Sequence, residues 1–343
     1  MDIPKAELLA ILAKLGVGGV IDVVRYGSGH INDTYKAETS GGARYILQRV
    51  NTEIFDEALL QENVVRVTEH LKAKGVKSLE VVAYESPWRV FRFLEGYVSR
   101  DLVECPEQAE QVAAAFAKFQ NDLADMPPPR LKDIIPRFHD TPDRLRQLDE
   151  AAARDVKGRK ASVAAELAFV DARRGDCSRI VGMMSRGEIP ERVTHNDTKI
   201  NNVMLAPDGS SVVIDLDTTM PGSALYDFGD MVRTSSAAAA EDETDLSKVY
   251  SKKEYFEALV RGYVRGATFL VDAEKANLAF AGRLMTLEVG IRFLTDYLAG
   301  DTYFHTAYPE HNLVRARTQF KMVESMEEQA AEYEEVVRRH LAQ

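Results

Sequence analysis

The stretch of the chain that decides its fold reads THNDTKINNVMLAPDGSSVVIDLD over residues 194–217. His195, Asp197 and Asn202 fit the pattern His-x-Asp-x-x-x-x-Asn, a spacing used by catalytic loops that transfer phosphoryl groups. In that chemistry one carboxylate orients an acceptor hydroxyl, and an amide oxygen farther along the loop reaches a metal ion. The spacing predicts Asp197 as the catalytic carboxylate and Asn202 as a ligand of Mg²⁺.

Two short apolar runs, residues 203–205 and 212–214, follow the loop and are joined by a Pro-Asp-Gly turn, which predicts a β-hairpin. Asn202 enters the first strand and Asp215 leaves the second, so antiparallel pairing puts both at the same end. Because Mg²⁺ prefers hard oxygen ligands, we predict Asp215 as its second ligand. Asp217 shares a side of the extended chain with Asp215 and is either a further metal or substrate contact or a solvated charge.

An isolated match to this spacing has a simpler explanation, namely a surface loop in which Asp197 and Asn202 cap turns. The hairpin and the aspartate that leaves it favour catalysis, because they supply a second metal ligand beside the first. We therefore predict phosphoryl transfer from ATP, with Mg²⁺ as the cofactor.

Composition limits the class of protein and its partners. The chain has 343 residues, 45% of them apolar and 28% charged, which is typical of a soluble globular protein large enough for two lobes. Its two cysteines are too few for a disulfide framework, and its net charge of −11 argues against a nucleic-acid partner. No stretch has the length of a membrane span, and residues 1–20 predict an amphipathic helix rather than a signal peptide. We expect a cytoplasmic protein, monomeric with oligomers left open.

The chain divides into two regions with different patterns. The first predicts a small sheet carrying one helix at residues 55–74, with strands at residues 20–26, 34–38, 44–50, 79–84 and 88–93. Beyond residue 94 apolar residues recur at helical spacing, and one long helix is predicted over residues 312–341. The fold class is α+β, a protein-kinase-like bilobal fold. Residues 1–94 form a small antiparallel-sheet lobe that binds ATP, and residues 95–343 form a larger, mainly helical lobe for catalysis and substrate.

Candidate nucleotide contacts lie in the first region. Gly27, Ser28 and Gly29 form a turn whose backbone amides can approach the phosphates of ATP, although a plain hairpin turn explains the glycines nearly as well. Phe93 and Glu95 lie at the strand and hinge expected to pair with adenine.

Gln48 occupies the place of the phosphate-pairing lysine on the third strand of protein kinases. A neutral amide donates hydrogen bonds but does not supply the charge of the lysine. Either the loop amides and Mg²⁺ carry the phosphates, or the site is degenerate.

Strings across nearly the whole chain resemble the N-acetylhexosamine 1-kinases, within the aminoglycoside phosphotransferase and choline kinase superfamily. They are GHIN (29–32), YILQ (45–48), FHDTP (138–142), THNDTK (194–199), IDLDT (214–218), MPGS (220–223), DFGD (227–230), RFL (292–294) and YPEHNLVR (308–315). The resemblance implies phosphorylation of N-acetylglucosamine or N-acetylgalactosamine at the anomeric hydroxyl, giving the sugar 1-phosphate. It also implies that members of that family carry glutamine in place of the lysine.

The resemblance also assigns roles to single residues. Arg292, Tyr303 and His30 are implied as contacts of the sugar, with Asp217 as a further substrate contact. Asp227 is implied to brace the catalytic loop, and His195 to support it. We expect His139 to make a structural hydrogen bond at a helix start, where Asp140 or Thr141 caps the helix.

Glu288, Arg292 and Asp296 repeat every four residues along one helix face. Such a polar stripe is either a solvated face or part of a site, and the sequence leaves both open for Glu288. For Arg292, a planar guanidinium suits sugar oxygens because it offers several donors.

The mechanism expected from the sequence is in-line transfer, with ATP between the lobes and the sugar on the C-terminal lobe. Two rivals remain open at this point. One is a superfamily kinase for another small acceptor, such as an aminoglycoside, choline, homoserine or another hexose. The other is a nucleotide-binding regulator without catalysis, which the glutamine at position 48 would suit.

Overall fold

A computed structural model describes residues 3–27 and 32–342 of the chain. The strands are β1 (Val20–Arg25), β2 (Asp33–Thr39), β3 (Arg44–Arg49), β4 (Val81–Glu85), β5 (Trp88–Arg92), β6 (Val98–Ser99), β7 (Arg192–Thr194), β8 (Val203–Leu205), β9 (Ser211–Val213) and β10 (Met220–Gly222). The helices are α1 (Lys5–Lys14), α2 (Glu57–Ala73), α3 (Pro106–Leu123), α4 (Thr141–Arg154), α5 (Ala164–Asp171), α6 (Arg174–Cys177), α7 (Arg179–Ser185), α8 (Ala224–Ser235), α9 (Lys253–Gly266), α10 (Asp272–Lys275), α11 (Leu278–Ala299), α12 (His311–Glu328) and α13 (Ala330–Leu341).

The α+β fold class is confirmed. The five N-terminal strands form one sheet in the order β1-β2-β3-β5-β4, and every neighbouring pair is antiparallel. Tyr35, Leu47 and Val90 point to one face of it and are buried together with Leu8 and Leu12 of α1. This alternation of buried and exposed side chains is the period-two pattern on which the strand prediction rested.

Two compact units make up the chain. The first contains Met1–Ser99, Met126–Ile135 and Met204–Met220, and the second contains Arg100–Asp125, Pro136–Val203 and Pro221–Gln343. The hairpin that carries Asp215 therefore belongs to the same unit as the N-terminal sheet. The functional boundary near residue 94 stays a prediction.

In the first unit, helix α2 ties the later segments to the N-terminal region. The buried Asn63 amide donates to the carbonyl oxygens of Lys132 and Thr219 at 2.9 and 3.0 Å, and its oxygen accepts from the Lys132 N–H at 2.9 Å. The β8–β9 hairpin forms a small sheet with β6 in the order β6-β8-β9. These bonds fix the chain on both sides of Asp215.

The second unit is built around the buried helix α11, which packs against α4, α8 and α12. Glycines allow two pairs of helices in this unit, α8 with α11 and α9 with α3, to approach closely. A Cβ at Gly229 of α8 would lie 2.4 Å from the Ala281 carbonyl oxygen, and one at Gly262 of α9 would lie 2.2 Å from that of Glu110. Larger side chains at these glycines would force the helices apart.

The prediction of one helix over residues 312–341 is wrong. The helix ends at Glu328, and a new one starts at Ala330. Between them the Gln329 side chain donates to the backbone carbonyls of Ser251 and Ser325. The break contains no glycine or proline. The hydrogen bond from Gln329 to the Ser251 carbonyl stabilises it.

Within the described residues, every helix is too short or too polar to cross a membrane.

Candidate active site

Asp197, the predicted catalytic residue, lies in the loop between β7 and the 3₁₀ turn Ile200–Asn202. Lys199 Nζ lies 2.8 Å from its Oδ1 atom, and the side chain of Asp197 is 25% exposed. Asn202 Nδ2 donates to Oδ2 of Asp197 at 3.1 Å and to its carbonyl oxygen at 2.8 Å. The structure thus brings two predicted residues together and adds a lysine to them.

Two opposing effects act on the carboxyl group of Asp197. Burial raises its pKa, whereas the ammonium of Lys199 and the nearby His195 lower it, and the lowering effects prevail. The pKa of Asp197 therefore lies below its ordinary value, and the same pair raises the pKa of Lys199. At neutral pH the Asp197 carboxylate is ionised and accepts hydrogen bonds.

Asp227, in the first turn of α8, holds the start of this loop. Its Oδ1 accepts the N–H of Asn196 at 2.7 Å, and its Oδ2 accepts the N–H of His195 at 2.8 Å and Gln120 Nε2 at 2.7 Å. The residue is fully buried. Burial raises the pKa of Asp227 to about 6. The N–H donors and His195 favour the ionised form and lower the pKa, but burial has the larger effect.

His195 is a packing residue beside the loop. Its ring makes edge contacts with Phe116 and Phe119 at centroid distances of 5.3 and 5.9 Å. Its Nδ1 accepts the backbone N–H of Asp197 at 3.3 Å. The imidazole therefore fixes the backbone of the loop rather than reaching solvent.

One turn along α8, Asp230 holds the next part of the loop. Its Oδ2 accepts the N–H of Thr198 at 3.0 Å, and its Oδ1 accepts Arg233 Nε at 2.8 Å. Thr198 Oγ1 donates to the carbonyl oxygen of Asp227 at 2.6 Å. The two aspartates of α8 thus bind the backbone N–H groups of His195, Asn196 and Thr198 and the Thr198 hydroxyl, which leaves the loop little freedom.

The loop also depends on a left-handed residue and a close glycine. Asn196 has φ +64°, a conformation that asparagine adopts more readily than most residues. Gly222 of β10 lies against it, and a Cβ there would be 2.4 Å from Thr194 Oγ1 and 3.0 Å from Asn196 Oδ1. Only glycine leaves this space for the loop.

A buried His139–Glu288 pair supports the loop from the other side. His139 Nδ1 is 2.8 Å from Glu288 Oε1, and Nε2 is 3.2 Å from the Asn196 carbonyl oxygen. Thr141 Oγ1 donates to Glu288 Oε2 at 2.5 Å. The ring thus lies between two acceptors, the Glu288 carboxylate and the Asn196 carbonyl oxygen. Although burial raises the pKa of Glu288, His139 and Thr141 bring it below its ordinary value.

The polar stripe on α11 is therefore not a solvated face, because Glu288 and Asp296 are both buried. Asp296 Oδ1 accepts the N–H groups of Thr302 and Tyr303 at 2.8 and 2.9 Å, and its Oδ2 accepts that of Phe304 at 2.9 Å. The carboxylate fixes the turn that carries Tyr303.

Arg292 and Tyr303, the predicted sugar contacts, lie in one aromatic cluster. The Arg292 guanidinium is 5.0 Å from the ring of Phe138 and 5.6 Å from that of Phe304. The rings of Tyr303 and Phe304 are 4.8 Å apart, and Tyr303 is 60% exposed. Arg144 contacts the same residue, because its Nη2 donates to the Phe138 carbonyl oxygen at 2.7 Å. Burial and then the charge of Arg292 lower the pKa of Arg144.

In the first unit, Gln48 and Asp217 share one partner, the buried Arg89. Arg89 Nη2 is 2.6 Å from Asp217 Oδ1, and its Nε and Nη2 donate to Gln48 Oε1 at 2.8 and 2.5 Å. Asp217 Oδ2 accepts Asn32 Nδ2 at 2.7 Å. Asp217 is thus buried between two donors, and its substrate contact stays a prediction.

The predicted adenine contacts are linked by another arginine. Arg44 lies 4.7 Å from the Phe93 ring and pairs with Glu95, Nε to Oε1, at 2.8 Å. Gly27 has φ +81°, which suits a glycine turn. The other predicted residues of that turn, Ser28, Gly29 and His30, lie outside the described residues.

The chemistry of the predicted metal ligands fits Mg²⁺. The Asn202 nitrogen is committed to Asp197, which leaves its amide oxygen as the acceptor. Asp215 has φ +58° directly before the 3₁₀ turn Leu216–Thr218, a conformation aspartate tolerates. In the part of the chain that is described, no group of three or more His, Cys, Asp or Glu side chains is arranged to hold a metal. An amide oxygen and a carboxylate are both hard oxygen ligands of the kind that Mg²⁺ prefers, and their role as metal ligands stays a prediction.

The sequence patterns did not predict three residues of these networks, Lys199, Arg89 and Gln120. Lys199 had a local signal, because residues two apart on an extended chain share a side. Arg89 had a weak one, a charge between the apolar residues Trp88 and Val90 of β5. Gln120 had none, since a polar residue in a helix is most often exposed.

Comparison with known proteins agrees with this architecture. A model of the phosphotransferase enzyme family (APH) matches residues 22–267. A choline/ethanolamine kinase family protein from Mesorhizobium loti superimposes with a TM-score of 0.62 at 16% identity, covering 97% of this chain and 99% of that one. An aminoglycoside phosphotransferase from Alicyclobacillus acidocaldarius gives a TM-score of 0.60 at 14% identity, covering 100% and 97%. The choline kinase of Streptococcus pneumoniae gives 0.59 at 13%, covering 93% and 99%.

At these identities the solved structures show a shared fold, the protein-kinase-like fold with an antiparallel sheet followed by a mostly helical part. The family model spans the N-terminal sheet, the loop of Asp197, the hairpin and α8. On this match the chain belongs to the phosphotransferase enzyme family.

Proposed function

We propose that the protein is a kinase that transfers the γ-phosphoryl group of ATP to the anomeric hydroxyl of N-acetylglucosamine or N-acetylgalactosamine. The observation that carries phosphoryl transfer is the ionised Asp197 beside Lys199 and Asn202. The strings shared with the N-acetylhexosamine 1-kinases support the sugar and the anomeric position.

In this proposal Asp197 accepts a hydrogen bond from the anomeric hydroxyl and orients its oxygen for attack. Lys199 keeps the carboxylate ionised, and the bonds from α8 hold it in place, so that positioning supplies much of the rate. Asn202 and Asp215 would hold Mg²⁺, which neutralises phosphate charge when bound.

The charges around Arg292 support a neutral acceptor. Two guanidinium groups lie beside Phe138, since Arg144 donates to its carbonyl oxygen at 2.7 Å and Arg292 is 5.0 Å from its ring. The carboxylates on the same face of α11 are taken, Glu288 by His139 and Asp296 by backbone N–H groups. A cationic acceptor would be repelled here, whereas sugar oxygens accept hydrogen bonds from guanidinium groups.

A kinase for a cationic acceptor is the second candidate. The structural neighbours include kinases of choline and ethanolamine and aminoglycoside phosphotransferases, and the net charge of −11 would attract such cationic compounds at long range. Arg144 and Arg292 favour the neutral acceptor over the cationic one. Charges next to a bound acceptor decide specificity, whereas the net charge of the protein acts only at long range.

The deciding experiment measures ADP release with Mg²⁺-ATP over a panel of acceptors. The panel contains N-acetylglucosamine, N-acetylgalactosamine, their 1-O-methyl glycosides, plain hexoses, choline and kanamycin. We expect turnover with the free N-acetyl sugars and none with the glycosides, in which only the anomeric hydroxyl is blocked. Turnover with choline or kanamycin alone would select the second candidate, and nucleotide binding without turnover on any acceptor would indicate a regulator.

Asp197→Asn tests the catalytic assignment. We expect kcat to fall about 10²- to 10⁴-fold, with a much smaller change in the sugar KM, because the carboxylate matters most in the transition state. The matched control is Asp208→Asn, at an exposed aspartate in the turn between β8 and β9, and this variant should retain kcat. A near-normal kcat for the Asp197 variant would remove this residue from the mechanism.

A further inference from the structure

Arg89 is the second residue of β5 and is 1% exposed. Charged side chains are almost never fully buried unless every charge has a partner. Its Nε and Nη2 atoms have partners, Gln48 Oε1 and Asp217 Oδ1, at 2.5 to 2.8 Å. Its Nη1 atom is also buried, yet no acceptor among the described residues lies within hydrogen-bond distance of it. One end of the guanidinium therefore presents N–H groups without a protein acceptor.

The bonds around Arg89 hold that end in a fixed position. Gln48 lies directly opposite Arg89 in the β3–β5 pair, and its own Nε2 donates to Thr34 Oγ1 at 3.0 Å. Asp217 is held by Asn32, whose oxygen in turn accepts the Asn51 N–H at 3.0 Å. All of these residues belong to the first unit. The guanidinium is thus fixed on two sides.

The glutamine at position 48 lacks the charge that a lysine there would provide for nucleotide phosphates. The buried guanidinium of Arg89 donates two hydrogen bonds to that glutamine, through Nε and Nη2. A guanidinium binds phosphate oxygens well, and burial strengthens such a charge-assisted bond. The pairing to Asp217 uses one edge of the fork and leaves Nη1 for a further anion.

We propose that Arg89, carried by β5 rather than β3, supplies the positive charge for the phosphates of the nucleotide, through Nη1. Gln48 serves to aim the guanidinium, and Asp217 to anchor it. This proposal rests on the proposed function in one respect, namely that the ligand is a nucleoside di- or triphosphate.

The test is equilibrium binding of Mg²⁺-ATP, Mg²⁺-ADP and adenosine, measured by isothermal titration calorimetry. Arg89→Lys keeps a cation for Asp217 but removes Nη1. We expect its affinity for ATP and ADP to fall about ten- to hundredfold, the loss of one charge-assisted hydrogen bond, with unchanged affinity for adenosine. Arg92→Lys is the matched control, since Arg92 is on the same strand with its side chain 50% exposed, and it should bind all three ligands like the wild type.

A second variant restores the charge from the other strand. Arg89→Met combined with Gln48→Lys puts an ammonium group opposite the lost guanidinium, and it should bind ATP more tightly than Arg89→Met combined with Asp217→Asn. The latter removes both charges together and so avoids leaving a carboxylate buried alone. Melting temperatures without ligand identify any variant that does not fold.

The outcomes separate the two proposals. If the wild type binds ATP and a folded Arg89→Lys variant binds it with equal affinity, the role of Arg89 is overturned and the kinase proposal stays intact. A parallel loss of adenosine affinity would show a general distortion and also overturn it. A wild-type protein that binds no nucleotide would overturn both proposals.

Discussion

Asp227→Ala should destabilise the second unit strongly, because one carboxylate satisfies three buried donors. These are the backbone N–H groups of His195 and Asn196 and the side-chain amide of Gln120, at 2.7 to 2.8 Å. A buried donor left without a partner costs about 1–3 kcal/mol. One water in the vacated space can satisfy a donor, so the free energy of unfolding should fall by about 3–5 kcal/mol.

Urea unfolding followed by far-UV circular dichroism measures this change as a lower midpoint. The only tryptophan, Trp88, is in the first unit, so its fluorescence reports that unit separately. Asp272→Ala, at a fully exposed aspartate, is the control and should leave the midpoint unchanged. A loss below about 1 kcal/mol for the Asp227 variant would refute the reasoning, since it is less than one orphaned donor should cost.

The same carboxyl group predicts a pH dependence of stability. Burial raises the pKa of Asp227 from 3.8 to about 6, so the folded protein binds this proton more tightly than the unfolded chain. Its contribution is therefore fully present below pH 3.8 and is lost as the pH rises through about 6. Relative to Asp227→Asn, the wild type should lose roughly 2 kcal/mol of unfolding free energy between pH 4 and pH 7. A difference that does not change with pH would refute the shift.

Three further predictions follow from single contacts. Gly222→Ala should destabilise the protein by about 1–3 kcal/mol, because the added Cβ would overlap Thr194 Oγ1. Adding Thr194→Ala should relieve part of that loss. If the stability losses of the two single variants simply add in the double variant, the clash is contradicted. Lys199→Met should raise the pH at which kcat falls on acidification, because it removes the cation that lowers the pKa of Asp197, whereas Lys199→Arg should retain the wild-type profile. Cys177, whose pKa burial raises to about 12, should not react with Ellman's reagent in the native state, and reaction without unfolding would contradict its burial.

Patterns within a few residues predicted much of this protein. The spacing of Asp197 and Asn202, the hairpin after them and the five N-terminal strands all follow from turn residues and side-chain periodicity, which act locally. The strands lie within about two residues of their predicted bounds because β-branched and apolar residues alternate up to glycine turns.

The sequence could not predict which distant residues satisfy a buried polar group. Glu288 reads equally well as a solvated charge, and only residues far along the chain, His139 and Thr141, give its carboxylate buried partners. Likewise the helix break at Gln329 depends on the carbonyl of Ser251. A helical pattern without glycine or proline carries no sign of such a contact.

The sequence by itself therefore determined the fold class, the loop of Asp197 and the hairpin, because each depends on the order of nearby residues. Only the tertiary structure decided that Arg89, 128 positions from Asp217, shares that carboxylate and the side chain of Gln48. The physical reason is desolvation: a buried charge must find its partners wherever the fold places them, and sequence distance does not constrain that choice.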